Sequence, residues 1–390
     1  MKGFQLTEKE INQIVEKYPT PFLVSSLEEM RDNYRFLRKH LPKTGIYYAM
    51  KANPTPAMLQ CMYDMGASFD VASAGEMEQL HALGIPGKRM IYANPVKDVR
   101  GLAMAERLGV RRYTFDDKSE ISKIAARIPN AEVMVRIRVV NRNVLVDLNT
   151  KFGAAPDEAL DLLQMAGHAG LNPIGICFHV GSQSLSTEAY EDALELCREL
   201  FDEAETRGMH LTHLDIGGGL PVPSAEGLSV NLKEMLEAIH ARMEALFPDT
   251  DIWMEPGRFL CGTAVNLVTS VIGTKERNGH AWYVLDESIY GTLSGIIFDH
   301  WIYPMHWFRT GEERISSFVG PSCDSIDVLR RDIMVPRLYI GDKVLFTNIG
   351  AYSSVSASRF NGFEIAPTLI WEDLFQEDLP ADLSRVEMVS

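Results

Sequence analysis

Short runs rich in β-branched and aromatic residues alternate, between residues 46 and 255, with segments whose apolar residues recur at i, i+3, i+4 and i+7. Eight such runs stand out, at 46–52, 68–72, 90–93, 112–115, 132–139, 173–180, 213–216 and 251–255. The helical pattern fills 56–65, 74–83, 116–128, 158–169, 187–206 and 232–246. Ser26 and Ser73 stand where helix N-caps belong, and Gly66, Gly84, Gly109 and Gly208 where a left-handed residue ends a helix. Strand followed by helix calls for parallel pairing through right-handed crossovers. Runs such as VMVRIRV and IGICFHV are too continuously apolar for a half-exposed sheet, so both faces are expected to be buried. An open doubly wound sheet would carry a GxGxxG turn after its first strand. None is present, and eight strands are what a closed barrel needs. The expected fold class is α/β, built on a (β/α)8 TIM barrel.

Beyond Gly262 the pattern changes. The runs at 265–272, 281–285, 317–319, 343–346 and 363–369 are β-rich, with turn residues between them, and predict an antiparallel β-domain of modified barrel or sandwich form. The first residues offer that domain a further strand, with a helix ending near Tyr18 and then Pro21-Phe22-Leu23-Val24. The expected division is 25–261 for the barrel, and 1–24 with 262–390 for the β-domain.

Length agrees with this division, because a barrel takes roughly 250 residues and the chain has 390. A composition of 46% hydrophobic and 23% charged residues excludes a disordered chain and a coiled coil. No apolar run approaches the ~20 residues of a membrane span. The opening stretch, MKGFQLTEKEINQIVEKY, is amphipathic and acidic, unlike a signal peptide. Lys and Arg number 38 against 53 Asp and Glu, a net charge of −15. That sign disfavours nucleic acid and anionic membrane and favours a small cationic partner. Five scattered cysteines without a CxxC pair fit a reducing, cytoplasmic location and give no metal centre.

In such barrels the functional groups sit at the C-terminal ends of the strands. The first strand ends in Tyr48-Ala-Met-Lys51-Ala-Asn-Pro54. A lysine in apolar surroundings needs either a paired charge or the lowered pKa of a Schiff-base lysine. The second strand ends at Asp70, with Glu76 one helical turn on; the fifth carries Arg136 and Arg138; the sixth ends around His179 and Ser182. The seventh runs into Gly217-Gly218-Gly219, whose backbone N–H groups can approach a phosphate. The eighth ends in Glu255-Pro-Gly257-Arg258. A lysine, a phosphate cradle, a carboxylate and a histidine on one rim suit pyridoxal 5′-phosphate, the carboxylate keeping the ring nitrogen protonated so that the ring can take up electrons.

These motifs, with Gly320-Pro-Ser-Cys-Asp-Ser-Ile-Asp327, Gly350-Ala-Tyr352 and Phe360-Asn-Gly-Phe363, resemble the alanine-racemase-like, fold-type III pyridoxal-phosphate decarboxylases over nearly the whole chain. The resemblance implies that Lys51 carries the cofactor as an imine, that His179 stacks on its ring and that Glu255 pairs with the ring nitrogen. It implies that Ser182, Gly217, Gly218, Gly219, Gly257, Arg258 and Tyr352 hold the phosphate, and that Asp70, Glu76 and Arg136 form a polar network around the cofactor. Cys323 matches the family's cysteine that reprotonates the α-carbon from the partner subunit of a homodimer, and Lys151 and Asp327 match a pair bridging that interface.

Cys323-Asp324, in place of the Cys-Glu of diaminopimelate decarboxylases, and Asp299, nine residues after Tyr290, resemble the ornithine decarboxylases. Asp299, Asp324, Tyr290 and Phe360 are the expected substrate-binding residues. Two aspartates suit a lone distal ammonium. The implied reaction is decarboxylation of a basic L-amino acid, L-ornithine to putrescine and CO2 first. Lysine, or a siderophore-, antibiotic- or diaminopimelate-like intermediate, is the alternative, and an antizyme-inhibitor-like regulator is disfavoured by Lys51, Glu255 and Cys323 standing together. The aromatic stretch 300–308 either reshapes the distal pocket or packs inside the protein.

Overall fold

The computed structural model describes residues 3–141 and 150–375. They divide into two compact units, one of residues 31–221 and 229–260, the other of residues up to 30, 222–228 and those from 261 on. Among the described residues no helix is long and apolar enough to cross a membrane.

Strand β1 (Phe22–Ser25) belongs to the second unit. The first unit is a closed barrel of eight parallel strands in chain order: β2 (Gly45–Ala49), β3 (Ser68–Val71), β4 (Met90–Tyr92), β5 (Arg112–Phe115), β6 (Glu132–Arg136), β7 (Asn172–Cys177), β8 (His213–Asp215) and β9 (Asp251–Met254). It closes by pairing β9 with β2, Gly45 opposite Trp253 and Ile46 opposite Met254. Several helices between strands start on capping side chains, among them Ser73, where the sequence places one. Ser73 accepts from the Glu76 amide, Asp98 from Gly101 and Asp117 from Ser119. Gly66, Gly84, Gly109 and Gly208 all have positive φ and end their helices.

Every expected barrel strand is present, but seven of the eight stop one to three residues short of the expected C-terminal end. The reason is that apolar character outlasts ladder pairing. Met50, Ile137, Phe178, Val180 and Ile216 lie past the ends of their strands and are still buried.

The second unit is a mostly antiparallel sheet. Its strands are β10 (Val265–Arg277), β11 (His280–Leu285), β12 (Met305–Trp307), β13 (Glu313–Val319), β14 (Val328–Pro336), β15 (Lys343–Phe346) and β16 (Thr368–Ile370), in the spatial order β12-β15-β10-β11-β13-β14. β1 runs antiparallel to β10 and parallel to β16, so the N-terminal segment does add a strand here. β11 and β13 are also parallel, which makes the sheet mixed at two places. The core joins Ile11 and Ile14 of the helix Glu8–Val15 to Phe22, Val24, Val268 and Leu345. In the aromatic stretch, Trp301 and Tyr303 are buried edge-to-face at 6.4 Å and Phe308 packs on this core, so those three rings are structural. The expected strand at 363–369 shrinks to Thr368–Ile370: Gly362 turns the chain at φ 79°, Phe363 is exposed and Pro367 has no amide to donate.

Candidate active site

On the barrel unit, β2 stops at Ala49 and a single 3-10 turn, Met50–Ala52, carries the next lysine out of the strand. Lys51 is therefore on the rim with its side chain 46% exposed, and its Nζ donates to Oδ2 of Asp70 at 2.6 Å, a carboxylate only 2% exposed. Of the two ways to accommodate this lysine, the structure uses charge pairing. Asp70 is opposite Ala49 in the β2–β3 register, which brings the two side chains to one place. Glu76, in the first turn of the helix capped by Ser73, accepts from the Ala72 amide at 2.5 Å. Burial pushes its carboxyl up to about 7, against the pull of the Ala72 N–H, and the nearby Asp70 charge adds to the rise.

Two carboxylates, Asp215 and Glu255, stand at the ends of β8 and β9. Asp215 ends β8, with Oδ1 accepting from the Gly217 amide at 2.8 Å. Burial raises its pKa, and burial together with the Asp215 and Asp70 charges raises that of Glu255 well above the carboxylate range. Lys51 and Arg136 pull the other way and lose. His179 is held neutral, first by desolvation and then by the Arg136 and Lys51 charges. Its Nδ1 accepts from the Gly181 amide at 2.9 Å, so the ring proton is assigned to Nε2.

The glycine loop is a cradle that side chains would fill. A Cβ at Gly217 would lie 2.3 Å from the Phe178 carbonyl, at Gly218 2.6 Å from the Glu255 carbonyl and at Gly219 2.5 Å from the Gly181 carbonyl. Gly217 and Gly219 also have φ of 65° and 109°, which a side chain would strain. The loop is pinned by the Tyr190 hydroxyl on the Gly218 carbonyl at 2.8 Å and the Ser184 amide on the Gly219 carbonyl at 2.9 Å. Gly257 lets the chain after β9 meet the lysine turn, since a Cβ there would be 2.9 Å from that of Ala52. Arg258, mostly buried, opens the short helix that follows. Ser182 is half-buried on the loop after β7.

Pyridoxal 5′-phosphate fits these residues. The cradle has backbone amides and no side-chain bulk, and Arg136 Nη2 and Asp215 Oδ2 are buried without a hydrogen-bond partner.

The β-sheet unit gathers a second group. Tyr290 donates its hydroxyl to Asp324 Oδ2 at 2.5 Å and stacks on Phe360 with centroids 4.1 Å apart. Asp324 is held below the usual carboxylate range, chiefly by that hydroxyl. Exposed Cys323 is fixed by its amide, which donates to Asn361 Oδ1 at 2.9 Å. Three of the four expected substrate-binding residues thus meet; Asp299 stands at the C-terminal end of the helix Gly295–Phe298, half-buried. Tyr352 is also in this unit, at φ 55°. The Asp327 carboxylate is buried and takes donors from its own unit. Lys151 is exposed, its Nζ 4.8 Å from the Phe152 ring centroid.

Sequence reasoning assigned no role to Asp215, Tyr190, Asn361 or Lys97. Asp215 was detectable, as the acid directly before the glycine run. Lys97 resembles Lys51 in sequence, a lysine shortly after an apolar strand, yet it is 2% exposed and donates to the carbonyls of Asn94, Pro95 and Thr114. Burial lowers its pKa to about 7.

Residues 27–262 match the family model for the pyridoxal-binding domain of pyridoxal-dependent decarboxylases. The lysine/ornithine decarboxylase of Selenomonas ruminantium is 63% identical over 373 residues, 96% of this chain and 95% of that protein. The crystal structure of SrLDC with PLP and cadaverine superposes with a TM-score of 0.92 at 62% identity, covering 96% of both chains. That of the Vibrio vulnificus lysine/ornithine decarboxylase with cadaverine gives a TM-score of 0.88 at 34% identity, over 94% of this chain and 99% of that one.

Proposed function

This chain belongs to the pyridoxal-dependent decarboxylases, and from that premise we propose that it converts L-ornithine to putrescine and CO2, with L-lysine as a second substrate giving cadaverine. As a family member it is a carboxy-lyase that uses pyridoxal 5′-phosphate and acts on a basic amino acid. The narrower reading rests on Asp324, a carboxylate that the Tyr290 hydroxyl favours as an anion, with the Tyr290 ring stacked on Phe360. An anion bordered by an aromatic face suits a methylene chain ending in one ammonium. It does not suit the distal carboxylate of meso-diaminopimelate, which would meet like charge. The names of the two relatives agree with both substrates.

When bound, the cofactor supplies an aldehyde that takes up an amine and a protonated ring that accepts the electron pair of the broken Cα–carboxylate bond. Lys51 would hold the aldehyde carbon. Gly217, Gly218 and Gly219, with Ser182, Gly257 and Arg258, would hold the phosphate; neutral His179 would lie against the ring, and Glu255 would take the ring N–H. Asp70 steadies the Lys51 amine through its 2.6 Å contact, and Glu76 and Arg136 complete the polar surround. Cys323 Sγ returns a proton to the α-carbon after CO2 leaves. We place Cys323 and Asp324 in the site of a neighbouring subunit of a homodimer; exposure of the thiol supports this. Five scattered cysteines without a CxxC pair agree with a cytoplasmic enzyme.

The test is CO2 release from L-ornithine, L-lysine, L-arginine and meso-diaminopimelate by the cofactor-loaded protein. Turnover of the first two above the others supports the reading. Preference for meso-diaminopimelate or arginine overturns it.

A further inference from the structure

Two loops of the β-sheet unit carry the second group of site residues. One, 286–292, bears Tyr290; the other, 320–327, bears Cys323 and Asp324. Between them lies a carboxylate that faces neither solvent nor any group assigned to substrate. Asp327 is 2% exposed, and its Oδ2 accepts from Ser288 Oγ at 2.9 Å and from the Ser322 amide at 3.1 Å, while Oδ1 accepts from the Ile289 amide at 3.1 Å. Its own amide donates to the Asp324 carbonyl at 3.2 Å. The fit is tight, as a Cβ at Gly320 would stand 2.3 Å from both carboxylate oxygens.

Ser288 is the pivot. Its hydroxyl donates to Asp327 and at the same time accepts from the Tyr290 amide at 3.0 Å. A hydroxyl can do both at once; a methyl group can do neither. On the other side, the Tyr290 carbonyl takes the Ser358 amide at 2.8 Å and the Ser358 hydroxyl at 3.0 Å. Tyr290 is thereby gripped at both backbone ends, which aims its phenol at Asp324 Oδ2. We infer that Asp327, acting through Ser288, is the positioning residue that sets Tyr290 on Asp324 and so fixes how far the distal ammonium of the substrate reaches. This rests on the substrate reading above and adds the device that tunes it.

The experiment compares Ser288→Ala and Ser288→Thr with the wild type, as full-length, cofactor-loaded protein, for KM and kcat with L-ornithine and L-lysine. Loss of one hydrogen bond that orients a charged pair predicts a rise in KM of roughly ten-fold for S288A and a change of less than about two-fold in kcat. The ornithine-to-lysine ratio of kcat/KM shifts, cofactor absorbance stays, and S288T restores KM. In a Tyr290→Phe background S288A adds little, because the hydroxyl that it aims is already gone. An unchanged KM in S288A, a fall in thermal stability with no change in KM, or a full additive effect in the Tyr290→Phe background overturns the inference. If the wild type releases CO2 from neither diamino acid, the substrate reading has failed, and this inference falls with it.

Discussion

The Tyr290 hydroxyl donates to Asp324 Oδ2 at 2.5 Å, and that bond is the main reason the Asp324 carboxyl stays below its usual range. A carboxylate so held keeps its charge to lower pH than an unbonded one would. Tyr290→Phe keeps the ring that stacks on Phe360 but frees Asp324 Oδ2. Its KM for L-ornithine is expected to rise several-fold with kcat little changed. The acid limb of kcat/KM should move to higher pH, because the lowered pKa of Asp324 relaxes upward. Steady-state kinetics across pH check this; a variant with unaltered KM and acid limb contradicts it.

Glu287 is buried, with Oε1 on the Ser288 amide at 2.7 Å and Oε2 on the Thr292 hydroxyl at 2.8 Å, and burial raises its pKa to about 7. A raised folded pKa means stability that is full below the unfolded value of about 4.3 and is lost as pH climbs to about 7. Glu287→Gln removes this dependence. The variant is expected to gain up to about 3 kcal/mol relative to the wild type on going from pH 5 to pH 8. Urea unfolding at the two pH values measures it. Equal pH dependence in both proteins contradicts the assignment.

The glycine cradle admits no side chain. Gly219→Ala places a Cβ 2.5 Å from the Gly181 carbonyl at φ 109°. We expect the apoprotein to fold but to bind pyridoxal 5′-phosphate at least ten-fold more weakly. Equilibrium dialysis of the cofactor reads this directly. Wild-type affinity would remove the loop from the phosphate site.

Cys323 is expected to act after CO2 has left, so Cys323→Ala should go on releasing CO2 while its yield of diamine per CO2 falls. Measuring both products from one reaction separates the steps. A variant with full diamine yield has no need of the thiol.

The barrel was legible because eight apolar runs alternate with helical periods, and a closed parallel sheet buries both faces of every strand. Strand ends were not, since buried loop residues such as Met50 and Ile137 look like strand. β14 carries no apolar alternation, because Arg330, Arg331 and Asp332 occupy its middle, and it was invisible until paired with β13. Lys51 and Lys97 look equivalent in sequence. Only the fold separates them, one paired with Asp70 on the rim and the other sunk among carbonyls. Asp327 shows the same limit from the other side. Its motif does not reveal the hydrogen bonds that its buried carboxylate takes from the Ser288 hydroxyl and the Ile289 and Ser322 amides.

The central claim is that Lys51 anchors the cofactor for decarboxylation of ornithine and lysine. The most direct measurement is CO2 release from L-ornithine and L-lysine by wild type and Lys51→Ala at saturating pyridoxal 5′-phosphate, with visible absorbance followed on the same samples. Release by the wild type, with loss of both release and protein-bound absorbance in the variant, is the predicted result. A Lys51→Ala protein that turns over at the wild-type rate would contradict the account.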